Sequence, residues 1–158
     1  MDNQLIDNHI RSPKRIDSSR PFVLSPAGKY RRGGFDLSGE DGEAKYKVFI
    51  RQHEDFQENF SVGLVYMDKE QGEITLFRCN GNHGETVTTP ITANEYHFGY
   101  HSHKMTEECI QNGIKDPPHY KVEDYVDYHS ALRYFCKEVN IANADEFLAE
   151  ARQLTLFD

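Results

Sequence analysis

Eight consecutive residues, Tyr96-His97-Phe98-Gly99-Tyr100-His101-Ser102-His103, concentrate side chains that can do chemistry. Read as a strand, they alternate: His97, Gly99, His101 and His103 share one face, and Tyr96, Phe98, Tyr100 and Ser102 the other. One face can pack on a core while the other presents a row of imidazoles. Imidazole changes charge near neutral pH, so such a row suits proton transfer, metal ligation or phosphate binding. Two positions along a strand span about 6.6 Å, which lets His101 and His103 reach one metal ion or grip two sides of one phosphate. A metal would need a third ligand, which His83, His97, His119 or a carboxylate can supply. Without a metal, one histidine serves as base and the other as acid. His97 lies about 13 Å from His101 along a straight strand, so it joins the pair only if Gly99 marks a bulge or bend. The plainer reading is that these histidines only hydrogen-bond within a sheet.

A second candidate is Arg78-Cys79-Asn80-Gly81-Asn82-His83-Gly84. Gly81 and Gly84 allow backbone amides to approach an anion closely. His83 falls at the tip of the turn, and Arg78 carries a planar fork that matches phosphate. A simple hairpin turn explains the same residues. A third candidate is the alternation Lys45, Lys47, Arg51, a basic lane for an RNA or nucleotide backbone if it shares the histidine face. Tyrosines 96, 100, 120, 125, 128 and 134 can stack bases, or they can pack in the core and at its rim. A Cys79–His83 nucleophile lacks an orienting partner. No P-loop, G-x-G-x-x-G, G-x-S-x-G or H-E-x-x-H is present.

These residues must be held by a sheet. Ala44–Gln52, Phe60–Met67 and Glu73–Cys79 read as strands, the last two joined by the turn Asp68-Lys69-Glu70-Gln71-Gly72. Residues 25–43 read as a long loop or a weak hairpin, and Arg20–Leu24 as a first strand. After His103 the period changes. Thr106 can cap a short helix ending at Gly113. Tyr128, Ala131, Leu132, Phe135 and Val139 form one helical stripe, and Asn143-x-x-Glu146 opens a further helix. The expected fold is α+β: an antiparallel meander of about four to five strands, then two to three C-terminal helices on one face. Residues 1–19 read as a flexible basic arm, and 20–158 as a single domain.

Composition narrows the field. Net charge is −8 over 158 residues, which argues against coating nucleic acid by bulk electrostatics. The charge is uneven: residues 1–32 hold seven Lys and Arg against three Asp, a balance of +4, so the remainder carries −12. No apolar run approaches the roughly 20 residues of a membrane span, and the N-terminus has no secretory h-region. Three cysteines without a C-x-x-C suggest a reducing, cytoplasmic home.

The runs Phe60–Leu64, Leu76–Gly84 and His101–Glu107 resemble a family of small uncharacterised bacterial and prophage proteins. That family has an R-Y-N-G-x-H-G turn followed by an H-x-H strand and a helix. The resemblance covers roughly residues 44–140, with Cys79 in place of the turn's tyrosine. More distantly, the order is similar to that of TumE-like toxins of toxin–antitoxin pairs, which are thought to act on RNA. The resemblance implies a site of Arg78, His83, His101 and His103. The expectation is an endoribonuclease-like toxin or phage-defence protein, with RNA as substrate, no cofactor and an antitoxin as a possible partner. Two alternatives stand beside it: a metal-dependent hydrolase with zinc or another divalent ion on His101, His103 and His83, and a non-catalytic acidic module such as an antitoxin, immunity or phage regulatory protein.

Overall fold

The computed structural model describes residues 1–17, 24–82 and 99–148, and the backbone of 85–87 and 95–97. In chain order the elements are α1 (Asn3–Arg11), β1 (Lys14–Ile16), β2 (Ser25–Ala27), β3 (Tyr30–Gly39), β4 (Lys45–His53), β5 (Phe60–Asp68), β6 (Gly72–Asn80), β7 (Glu85–Val87), β8 (Glu95–His97), β9 (His101–Lys104), α2 (Glu107–Gln111), β10 (His119–Lys121) and α3 (Tyr128–Glu138). A further helical segment occupies 144–148.

The fold is α+β around an eight-stranded antiparallel sheet of order β1-β3-β4-β5-β6-β9-β10, with β2 also paired to β3. The sheet is larger than the four to five strands expected, for two reasons. The glycine-rich 25–43 stretch is a hairpin, and β10 forms only because it finds the free edge of β9. Short strands of three residues carry too little alternation to be read alone. The helices are not confined to the C-terminus either. The segment expected as an arm supplies α1, capped by Asp2 accepting from Leu5 N, and β1 on β3. Ile6 and Ile10, an i, i+4 pair, dock α1 within an otherwise polar stretch.

Tyr46, Val48 and Ile50 of β4 face a core completed by Val62, Leu64, Phe77 and Cys79. The α3 stripe of Tyr128, Ala131, Leu132, Phe135 and Cys136 covers that face, with Phe135 stacked on Phe77 at 6.0 Å. A reciprocal capping box between Asp127 and Ser130 starts α3. Lys14 is the charged residue buried in this layer. Its Nζ donates to the carbonyls of Ile10, Ser12 and Val139 at 2.8, 2.8 and 3.0 Å, tying the C-terminal ends of α1 and α3 together.

The stretch expected as one histidine strand is broken. Residues 95–97 pair with 85–87 in a separate two-stranded sheet, while 101–104 join β6. Gly99, at φ +72°, sits between them in the left-handed region that favours glycine. His97 therefore leaves the strand of His101 and His103.

Candidate active site

Register fixes which side chains meet. Arg78 and Asn80 of β6 lie opposite His103 and His101 of β9. On the other side of β9, His119 lies opposite His103 and Lys121 opposite His101. Directly opposed residues share a face, so Arg78, His101, His103 and His119 gather on the side of the sheet away from α3. The imidazole centroids are 5.2 Å apart for His101–His103, 5.3 Å for His101–His119 and 6.0 Å for His103–His119. His101 and His103 are each 1% exposed, whereas His119 and Arg78 are half-buried.

Two backbone carbonyls set the tautomers. His101 Nδ1 lies 3.1 Å from Gly99 O, and His103 Nδ1 lies 2.7 Å from Pro117 O. A carbonyl oxygen can only accept, so both Nδ1 atoms carry the proton. In the neutral ring Nε2 is then the basic nitrogen. Arg78 donates to the Asp116 carboxylate, which also stands 3.7 Å from His103 Nδ1. Asp116 thus faces both the guanidinium and a ring that gains charge on protonation. Behind the site, the single Tyr125 O–H is shared between Asn80 O at 2.9 Å and His101 O at 2.8 Å, bridging β6 and β9 at the level of His101.

Three of the four residues singled out in the sequence, Arg78, His101 and His103, are neighbours in space. The fourth, His83, lies outside the described residues, as does the side chain of His97. Among the described residues, no group of three His, Cys, Asp or Glu side chains is placed to hold a metal ion. The arrangement has the parts for metal-free proton transfer next to a guanidinium.

His119 belongs to the cluster but stood in the sequence only as one of several spare ligands. Its signal was weak because it follows Pro117-Pro118, which reads as a chain break, and its partner strand is not adjacent in sequence. The Cys79 thiol is on the core face, and burial pushes its pKa well up, which removes it as a nucleophile. Of the six tyrosines that could stack bases, Tyr125 and Tyr128 are core residues.

A separate histidine lies on the helix face. His9 stacks on Tyr66 at 4.0 Å and hydrogen-bonds Tyr46 OH through Nδ1 at 2.7 Å, and burial lowers its pKa. It borders a cavity of about 340 Å³ with Ser12, Asp41 and Ala44. Among the described residues, no helix is long and apolar enough to cross a membrane. No protein-family model, curated protein or solved structure matches the chain.

Proposed function

We propose that this protein cleaves RNA by metal-independent histidine chemistry, as a toxin or phage-defence nuclease. The observation that carries the reading is the packed trio His101, His103 and His119 in register with Arg78. Cleavage needs a base for the ribose 2′-OH, an acid for the leaving 5′-oxygen, and a cation for the phosphorane. The 2′-oxygen forms a bond to phosphorus as its proton passes to a neutral imidazole. The phosphorus–5′-oxygen bond breaks, and an imidazolium protonates the leaving oxygen. The products are a 2′,3′-cyclic phosphate and a free 5′-hydroxyl.

Burial divides the roles. His119 is half-buried where His101 and His103 are 1% exposed, so it is the histidine that touches substrate first. His103 stands behind it, its ring fixed by Pro117 O. Asp116 occupies the guanidinium of Arg78, and a substrate phosphate competes for the same fork. Exchange of carboxylate for phosphate draws Asp116 off and seats the phosphate on Arg78, opposite His103 across the strands.

The test is incubation of a labelled RNA oligonucleotide in EDTA. The expected result is cyclic-phosphate ends, a bell-shaped pH–rate profile, and no cutting of a substrate with 2′-deoxyribose at the scissile position. His119→Gln is expected to lower the rate by about 10²–10⁴-fold. Intact RNA from pH 5 to 9 would overturn the reading. So would a rate unchanged in both His119→Gln and His103→Asn. The −12 balance of residues 33–158 favours the second reading, an acidic binding module that blocks a basic partner. That reading expects partner binding to survive His119→Gln.

A further inference from the structure

The histidine face extends well beyond the histidines. Across the sheet, Arg32 of β3 opposes Arg51 of β4, Arg51 opposes Ser61, Ser61 opposes Asn80, and Asn80 opposes His101. The next row runs Gly34, Phe49, Gly63, Arg78, His103 and His119. Neighbouring strands are about 4.8 Å apart, so Arg51 lies about 14 Å and Arg32 about 19 Å from His101 across the sheet.

The two arginines form an unusual pair. Like charges directly opposed on neighbouring strands repel. Both guanidiniums also gather at one ring: Arg51 stands 4.8 Å and Arg32 5.8 Å from the centroid of Tyr30. Among the described residues neither has a carboxylate partner, and Arg51 Nε is buried without an acceptor. The lysines of the same strand are engaged elsewhere, Lys47 with Glu73 and Lys45 with Ser38 Oγ. Two cations held together without a counter-ion suit an anion with several acceptor oxygens.

Between this pair and Arg78 lies an aromatic step. The Phe49 ring rests over Gly63, where a Cβ would come within 2.1 Å of it. Phe49 is only half-buried, so its ring offers a surface for a base.

We infer that Arg32 and Arg51 form a second phosphate subsite for single-stranded RNA, with Phe49 stacking a base between it and the cleavage centre. This inference rests on the RNA-cleavage reading for its choice of ligand. The lane therefore crosses the strands, from Arg32 and Arg51 over Phe49 to Arg78 and His119, and does not follow Lys45, Lys47 and Arg51 along β4.

The experiment is fluorescence anisotropy of a labelled 12-nucleotide RNA on the His119→Gln protein, over a series of salt concentrations. Adding Arg32→Gln and Arg51→Gln together is expected to weaken binding at least tenfold. It should also flatten the plot of log affinity against log salt by about 0.7 for each phosphate that is no longer neutralised. Arg51→Lys keeps the charge and should retain most of the slope, which separates loss of charge from misfolding. Lys137→Gln, exposed on α3 beyond the opposite face, is the control that leaves binding unchanged. The inference falls if the His119→Gln protein does not bind the RNA. It also falls if the double arginine variant binds with the same affinity and slope. If binding depends on the arginines while the unmutated protein cuts no RNA, the subsite stands and the cleavage reading falls.

Discussion

The two faces of strands β4, β5, β6 and β9 are both buried at their centre, yet they are built from opposite materials. Toward α3 stand Val48, Ile50, Val62, Leu64 and Cys79. On the other side the same strands present Arg51, Ser61, Gly63, Asn80, Arg78, His101 and His103. Burying apolar surface stabilises a fold by about 25 cal/mol per Å², whereas burying polar groups costs stability unless each is hydrogen-bonded. The first face therefore holds the sheet together. The second buries hydrogen-bonding and titratable groups where apolar side chains would serve a purely structural layer, which is why chemistry is sought there. Among the described residues the one ammonium buried on the apolar face, Lys14, shows the contrast from within. Its three donors meet three carbonyls, a saturated structural role.

Adjacent residues of β5 give the largest test of this contrast. Leu64→Ala on the helix face should lose about 2–5 kcal/mol of unfolding free energy in urea, by transfer and cavity terms together. A loss under about 1 kcal/mol would mean that the apolar face is not what stabilises the sheet. Gly63→Ala, one residue away on the other face, should lose about 1–3 kcal/mol because the new methyl collides with the Phe49 ring. It should also weaken RNA binding more than Leu64→Ala does, since it displaces the aromatic step.

Lys14 tests the exception. Burial lowers its ammonium from an ordinary 10.5 to about 7. A cation whose folded pKa is lowered is deprotonated first in the folded state. Its contribution to stability is therefore lowest below pH 7 and rises from there toward 10.5. Unfolding measured from pH 7 to 10 should show that rise, and Lys14→Met should abolish it. The smallest expected effect on stability belongs to His119→Gln, within about 0.5 kcal/mol because the residue is half-buried at a sheet edge. The same variant has the largest expected effect on RNA cleavage. A destabilisation as great as that of Gly63→Ala would make His119 a packing residue.

Much of this architecture was legible because it depends on local pattern. The alternation of Tyr46, Val48 and Ile50 marks β4, and the stripe from Tyr128 to Val139 marks α3. Thr106 and Gly113 bound α2 as their chemistry requires. The elements that did not show are short or depend on a distant partner. α1 has two docking residues, and β1 and β10 have three residues each. The row of His97, His101 and His103 failed as a row because alternation says nothing about where a strand ends. At Gly99 the backbone takes a positive φ, and 95–97 leave for another sheet.

The candidate site divides the same way. Sequence alone determined that His101 and His103 share a face, since period two follows from backbone geometry at any strand register. It also determined that Arg78 ends a strand before a turn. Tertiary structure decided that β9 lies between β6 and β10, and so brought Arg78 and His119 to His103 from opposite sides. It decided the tautomers, through carbonyls of Gly99 and Pro117, and it set Arg32 beside Arg51. The physical reason is that hydrogen-bonded pairing between strands distant in sequence is selected by the packing of the whole sheet. No local spacing encodes which edge a three-residue strand will find.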